Sequence, residues 1–489
     1  MPEKTFHIMT FGCQMNVNDS DWLRRSLLAA GFTEQPFEAA RVQILNTCSV
    51  RAKPEHKVYT ELGRIRLLAR KFPGRDIIAC VGGCVAQQLG EQLFAKSREL
   101  KLLFGTDGLA HAPAAIAMLA ENSVQAISLL DFSSEYAERK TPGDPADGTG
   151  GPDFRQRIAP SPENAAQPAQ TTPATAPPAA YVNIMQGCDN FCTYCIVPFV
   201  RGRQKSRAVQ AVLEECRALI KGGCKEITLL GQNVNAFGQD AGVAAETGIP
   251  APEADKRDKT DGFVSLLHQL AGLSGLQRLR FITPHPKDMP DGLIEAFAQL
   301  SVLAPRLHLP LQSGSDRVLK RMNRRYDLRH YMRLVGRLKA ARPGIQLSTD
   351  IIVGFPGETE EDFNATMQAM READFAASFS FVYSDRPGTK AGGYTDKIPR
   401  EEALERLSRL QRWQDDNTRR ILRGLVGAKA QVLIEETSLK NGESNMRGRD
   451  AYGFSVHIPL RQGELLNIGD MADVRISGAG RHALRGCLD

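Results

Sequence analysis

Residues 181–203 read YVNIMQGCDNFCTYCIVPFVRGR. The first five, Tyr181 to Met185, are a short apolar and β-branched run with strand character, and three cysteines follow at once. Cys188, Cys192 and Cys195 have the spacing C-x3-C-x2-C. The pattern of a short strand ending in a turn rich in functional groups recurs downstream. Strands are predicted at Glu226–Leu230, Arg278–Phe281, Arg306–Leu309, Gln346–Val353 and Phe379–Tyr383, followed by the turns GQNVNAFG, TPHP, PLQSGSD, GFPGE and SDRPGTKAGG. Functional groups at the C-terminal ends of successive parallel strands are the arrangement of a β/α barrel, and six such units predict a partial, open (β/α)6 barrel over residues 181–420.

Three thiols in one loop is an informative count. A [4Fe-4S] cube held by three thiolates keeps one iron with an open position, where a substrate can bind. Structural zinc, the competing occupant, wants a fourth ligand, and the nearest thiols, Cys216 and Cys224, lie on or beyond the next helix. The chain has ten cysteines, and three others stand apart in sequence: Cys13, Cys48 and Cys84. Each follows an expected strand, Thr5–Met9, Val42–Leu45 or Asp76–Val81, with helical patterns at Asp19–Ala30 and Pro54–Lys71 between them. This alternation predicts an N-terminal parallel α/β domain over 4–125, whose strand ends bring the three thiols to one edge. Cys80 falls within a strand and, like Cys216, Cys224 and Cys487, reads as a small buried residue.

Residues 141–180, rich in Pro, Ala, Gly and Thr, cannot bury enough apolar surface to offset ordering and read as a disordered linker. Residues 239–262 read as a surface insertion in the barrel. From 424 to 487 short alternating segments, AQVLIEET, GFSVHIPL and MADVRISG, predict a small β-barrel. At 489 residues several domains are expected, and no apolar run is long enough to span a bilayer, so a soluble chain is expected. The N-terminus MPEKTFHIMTFGCQMN lacks a secretory signal, so a reducing cytoplasm is expected, where cysteines are thiols or ligands. A net charge of +6 permits a polyanionic partner without requiring one.

The segment 181–203, together with GCQMN (12–16), NTCSVR (46–51), LLGQNVNAFG (229–238), HLPLQSGSDRVLKRMNRR (308–325) and STDIIVGFPGETEEDF (348–363), resembles the methylthiotransferases of the radical S-adenosylmethionine superfamily. Within them it is most similar to the MiaB-type enzymes that act on tRNA. The resemblance covers nearly the whole chain outside the two low-complexity stretches. It implies that Cys188, Cys192 and Cys195 hold a [4Fe-4S] cluster whose open iron takes S-adenosylmethionine, and that reductive cleavage yields a 5′-deoxyadenosyl radical. It implies a second [4Fe-4S] cluster on Cys13, Cys48 and Cys84, with a free iron that carries the sulfur to be transferred. One S-adenosylmethionine would methylate that sulfur and another would remove hydrogen from C2 of N6-dimethylallyladenosine at position 37 of tRNA, next to the anticodon.

Tyr194 is expected to pack by the adenine of the cofactor or else to serve as ordinary loop packing. Gly231, Gln232 and Asn233, Gln312 and Ser313, and Asp350 fall where the remaining cofactor and substrate contacts are expected, although Gly and Asn also end strands for conformational reasons alone. The 424–487 module resembles a TRAM domain, an RNA-binding barrel, and its middle, MRGRDAYGFSVHIPL, departs from the usual wording. Two basic stretches, Arg201, Arg203, Lys205 and Arg207, and Lys320, Arg321, Arg324 and Arg325, are expected to rim the strand-end face where a phosphate backbone would lie, against the bland reading of a solvated surface. The expected partners are tRNA, S-adenosylmethionine and an electron donor, with no membrane and a monomeric chain. The rival substrates are a threonylcarbamoyl-adenosine tRNA and a ribosomal protein. From another class, an iron-sulfur RNA-binding redox sensor would explain the cysteines but would leave six decorated strand ends without a purpose.

Overall fold

The computed structural model describes residues 3–49, 52–121, 125–139, 176–240, 261–440, 443–460 and 464–489. The chain forms two compact units, Met1–Ser133 with Ala137–Ala174, and Ser134–Tyr136 with Thr175–Asp489. Among the described residues no helix is long and apolar enough to cross a membrane.

The N-terminal unit is built on a six-stranded parallel sheet of order β2-β1-β3-β4-β5-β6. Its strands are β1 (Thr5–Phe11), β2 (Thr33–Glu34), β3 (Val42–Thr47), β4 (Ile78–Gly83), β5 (Leu100–Phe104) and β6 (Ile127–Leu129). β3 and β4 are buried along their whole length, as central strands covered on both faces must be. Alternate residues feed opposite cores: Ile44 joins Trp22, Leu23, Leu27 and Ile116, while Leu45 joins Val58, Leu62 and Ile65. Three strands were legible in sequence. The two edge strands are too short to show a period, and β5 follows an irregular 3-10 segment, Gly90–Lys96. The first helix is Gln14–Ala29, starting before the expected Asp19, because Cys13 is itself its N-cap residue.

In the C-terminal unit six parallel strands form two groups of three. β7 (Ala179–Asn183), β10 (Glu226–Leu230) and β11 (Arg278–Phe281) make the first; β12 (Arg306–His308), β13 (Gln346–Val353) and β14 (Ala377–Val382) make the second. A parallel bridge between Leu279 and Leu303 links the end of one group to the approach of the other. A two-stranded antiparallel pair, β8 (Met185–Gln186) and β9 (Lys205–Ser206), brackets the cysteine loop. Leu229, Phe263, Phe297, Leu307, Ile351 and Phe363 belong to one continuous core that packs helices against both strand groups. The expected linker lies outside the described residues up to 175, but Ala179 and Ala180 belong to β7 and pair with β10 rather than to a linker. The expected insertion likewise falls outside the described residues at 241–260, and its last two residues already start the helix Asp261–Ala271.

The C-terminal module is a closed barrel of order β15-β16-β17-β19-β18. Its strands are β15 (Lys429–Lys440), β16 (Glu443–Arg449), β17 (Ser455–Pro459), β18 (Met471–Ala479) and β19 (Ala483–Leu488). β16 and β19 carry few large apolar residues, so alternation alone did not reveal them. The barrel seats against the N-terminal ends of the core strands. Arg278 donates to the carbonyls of Gln431, Arg449 and Asp450, Arg280 to that of Asp450 and Arg306 to that of Tyr452.

Candidate functional site

In the N-terminal unit, β1 and β3 end together in register, Phe11 opposite Thr47, and Thr47 faces Gly83 of β4. The next residues are therefore Gly12-Cys13, Cys48 and Cys84, and three thiols distant in sequence meet at one sheet edge. The Cys48 thiol lies within hydrogen-bond reach of those of Cys13 and Cys84. Those neighbours, with burial added, push its pKa far above the ordinary thiol range. Three thiolates so close repel one another in the absence of a cation, and coordination to iron reverses that balance.

Close approach demands glycine here. A Cβ on Gly12 would sit 2.6 Å from the Cβ of Cys48, and Gly83, at φ +85°, would bring one within 2.3 Å of the Thr47 carbonyl oxygen. A buried amide network fixes the turns from below. Asn16 Nδ2 donates to Asn46 Oδ1 and to the Thr47 carbonyl, both at 3.0 Å, and its Oδ1 accepts from the Cys13 amide at 3.4 Å. Asn46 in turn donates to the Asn16 carbonyl at 2.9 Å and to Ser20 Oγ at 2.9 Å. Neither asparagine was singled out in the sequence; the only signal was a polar residue three positions after Cys13.

In the C-terminal unit the loop after β8 carries Cys188, Cys192 and Cys195. Burial, with the charge of Cys192 adding to it, raises Cys188 to about 11 and Cys195 to about 12. Gly187, at φ +81°, starts the loop with its amide donating to Gln232 Oε1 at 2.6 Å. Thr193 is tied to the segment 321–322, donating from Oγ1 to the Arg321 carbonyl and from its amide to that of Met322, both at 3.0 Å. Arg324 is buried beneath the loop. Its guanidinium donates to Cys192 Sγ and to the Tyr194 hydroxyl at 3.4 Å, to the Tyr326 hydroxyl at 3.0 Å and to the Pro310 carbonyl at 3.0 Å. Asn323 donates to the Phe191 carbonyl at 3.0 Å.

Five of the six described non-glycine residues at positive φ surround this loop and the neighbouring strand ends: Phe191, Thr283, Gln312, Asn323 and Arg325. Strain held at one face marks a functional region. Beside the loop lies a polar pocket of about 140 Å³, lined among others by Asp189, Asn190, Asn233, Lys287 and Asp288. Two of its buried atoms, Asn190 Nδ2 and Asn233 Oδ1, have no hydrogen-bond partner among the described residues. His285, in the TPHP turn, is buried, and its Nε2 has no partner among the described residues. Burial and the charges of Arg324, Lys287 and Arg325 keep its imidazole neutral.

The expected contact residues separate into two groups. Gln232 holds the loop, and Asn233 lines the pocket and donates to Asp288 at 2.9 Å. Gly231 is required by closeness, since a Cβ there would lie 2.5 Å from Met185. Asp350 is partly exposed, with its carboxylate 3.3 Å from His308 Nε2. Tyr194 packs with Val318, Met322, Phe355 and Ala391. Gln312 bridges to β13 through its backbone, and the Ser313 hydroxyl is already engaged by Thr366 and by the Ser315 amide, so both act in the wall of the site.

The basic rim requires correction. Arg201, Lys205, Arg207 and Arg324 are buried, each drawn inward by partners such as Asn183 and Glu215 for Arg207. Of the eight cations Lys320, Arg203 and Arg325 face solvent, while Arg321 is half-buried against Asp396. Cys80, Cys216 and Cys224 are fully buried in the cores, whereas Cys487 is partly exposed on β19.

Both thiol trios fit three-ligand clusters. Cys216 and Cys224 are locked in the core and leave the loop without the fourth thiol that zinc would want. Among the described residues no three His, Cys, Asp or Glu side chains converge as ligands of a single ion. A cubane does not need that convergence, because each thiolate takes a different iron.

The sequence pattern of the radical SAM superfamily matches residues 182–370, and that of the uncharacterized protein family UPF0004 matches residues 5–105. A tRNA-2-methylthio-N(6)-dimethylallyladenosine synthase of Nitratidesulfovibrio vulgaris is 52% identical over 486 residues, covering 99% of this chain and 98% of its own. Enzymes of the same name from Lawsonia intracellularis and Geobacter sulfurreducens are 46% and 41% identical, each across 99% of this chain and 98% or 97% of theirs. Among solved structures, the radical S-adenosylmethionine methyltransferase TsrM of Kitasatospora setae superposes with a TM-score of 0.51 at 14% identity, covering 80% of this chain and 75% of that one, which is a likeness of fold.

Proposed function

The chain belongs to the family of tRNA-2-methylthio-N(6)-dimethylallyladenosine synthases, and on that premise we propose that its two cysteine trios hold one [4Fe-4S] cluster each and divide the reaction between them. The protein is a radical S-adenosylmethionine enzyme that transfers a methylthio group to tRNA. The substrate atom is C2 of N6-dimethylallyladenosine at position 37.

Cys188, Cys192 and Cys195 would hold one cluster, and with S-adenosylmethionine bound that group would supply the radical chemistry. Around it the chain's own residues bind and orient. Arg324 places its guanidinium against Cys192 Sγ, and its bonds to Pro310 and Tyr326 keep that group from moving. Gln232 fixes the loop entry, and Asn190 and Asn233 offer an unused amide donor and acceptor to a polar ligand. Cys13, Cys48 and Cys84 would hold the second cluster, which would supply the sulfur. An external electron donor is required by the reductive cleavage, and the chain is taken to act as a monomer. The C-terminal barrel serves RNA binding, together with the exposed cations Arg203, Lys320 and Arg325.

The observation that carries the two-cluster reading is the meeting of the Cys13, Cys48 and Cys84 thiols from three separate strand ends. The test is anaerobic reconstitution of the full chain and its Cys48→Ser and Cys192→Ser variants, with iron counts, 5′-deoxyadenosine assay and nucleoside mass analysis. About eight irons are expected in the unaltered protein and about four in each variant, from two cubes. Cys48→Ser should still cleave S-adenosylmethionine but form no methylthio product, and Cys192→Ser should do neither. About four irons in the unaltered protein would remove the second cluster.

A further inference from the structure

The edge of the N-terminal sheet opposite its cysteines carries a depression of about 380 Å³ lined by four cations, Arg66, Arg70, Lys96 and Arg98, with Ser97 and Glu99. Arg66 and Arg70 are four residues apart near the end of the helix Ala52–Lys71 and so share a face. Lys96 ends the 3-10 segment Gly90–Lys96, Arg98 lies in the turn between it and β5, and the Arg66 guanidinium donates to the Lys96 carbonyl across the gap. All four are exposed. Among the described residues none has an ion-pair partner, whereas Arg64 on the same helix is paired with Glu61 at 2.7 Å. Glu99, the carboxylate in the depression, accepts from Ser97 Oγ at 2.7 Å.

Complementing the helix dipole accounts for Arg70 and Lys71 in the last turn. It does not account for Lys96 and Arg98, which another segment brings to the same hollow. Four cations gathered around one carboxylate, itself bonded to Ser97, leave an excess of positive charge, and three guanidinium forks with an ammonium form a receptor for phosphate oxygens. An acidic redox protein docked here would be separated from the thiols by the length of β4, Ile78–Gly83, roughly 20 Å at about 3.3 Å per residue. Electron transfer fades steeply over such a gap, whereas a polynucleotide backbone bridges it with repeating charge.

We propose that this depression binds the phosphodiester backbone of the RNA substrate, away from the cysteine edge of the same sheet. The proposal rests on the reading that tRNA is the substrate. It is tested on the reconstituted holoenzyme by measuring tRNA affinity against salt concentration for the unaltered protein, an R66Q/R70Q/K96Q/R98Q variant and a charge-retaining R66K/R70K/K96R/R98K variant. Iron content and thermal unfolding confirm that each is folded.

The glutamine variant should bind tRNA about tenfold more weakly, and the slope of log affinity against log salt should fall by about 1 for each phosphate that is no longer neutralised. The charge-retaining variant should keep the slope. Equal affinity and slope in all three would overturn this site and leave the tRNA reading intact. Failure of the unaltered holoenzyme to bind or modify tRNA would remove both. Slower cluster reduction by an acidic protein donor, with tRNA affinity unchanged, would overturn the proposal in favour of a redox partner.

Discussion

Asn16 shows how much of a cysteine site rests on residues that are not cysteines. Its side chain is fully buried and ties the Cys13 turn to the ends of β3. Asn16→Leu removes both amide roles and leaves Asn46 Oδ1 and the Thr47 carbonyl without a donor, at a cost of about 1–3 kcal/mol per unsatisfied group. We expect a lower urea midpoint and loss of the N-terminal iron with the loop cluster kept; iron at the unaltered level would show that the turns hold without the amide. The six cysteines stand out in the sequence because each trio falls just beyond strand ends. Arg324, His285 and Asn323 do not. In sequence Arg324 is one cation in a basic run, and only its burial beneath the loop separates it from Lys320 and Arg325.

At the scale of elements, the turn at 313–315 and the start of the helix Asp316–Arg321 are fastened to the helix Glu360–Ala373 through Asp362. This carboxylate accepts from Ser315 Oγ at 2.5 Å, from the Thr359 amide at 2.8 Å and from Arg317. Burial alone would raise its pKa, but the bonds from Arg317, Ser315 and Thr359 outweigh it and hold the group at about 2, below the ordinary 3.8. A depressed acid stabilises the fold above its unfolded value, and that contribution is lost as pH falls from 3.8 through about 2. Asp362→Asn should therefore lower the urea midpoint at pH 7, and the gap between variant and unaltered protein should narrow over that acid window. A gap independent of pH would mean that the helix cap, not the charge, carries the effect. The strands at 226–230, 278–281 and 346–353 were placed correctly from their apolar runs, whereas β2, β6, β16 and β19 were invisible. Such strands exist because a neighbour offers a ladder, which local pattern does not record.

Across the whole C-terminal unit, the terminal barrel is joined to the core by buried charge. Glu226 pairs with Arg278 at 3.0 Å and with Arg280 at 2.9 Å, and those arginines cap carbonyls of Arg449 and Asp450. The stretch 446–460, which departs from the usual wording of its module, is thus also the stretch that seats it. Breaking a buried pair from one side costs about 3–5 kcal/mol because the remaining charges are left uncompensated. Glu226→Gln keeps the shape and removes the charge. It should lower the unfolding midpoint and let limited proteolysis release the barrel near Gly424–Gly427. Unchanged stability and protease resistance would show that apolar packing alone seats it.

By itself the sequence determined where the strand-end turns and their cysteines fall, along with a parallel α/β domain, an open barrel of six units and a closing β-module. It could do so because strand runs and the turns that end them are local and leave fixed residue types at fixed places. What only the tertiary structure decided is which charges are used and where. Arg207 and Arg324 turn inward, Arg278 and Arg280 become a joint, and Arg66 and Arg70 of one segment gather with Lys96 and Arg98 of another in one hollow. A cation's role depends on what lies across from it in space, and pairing partners brought in by distant strands are not written next to it in the chain.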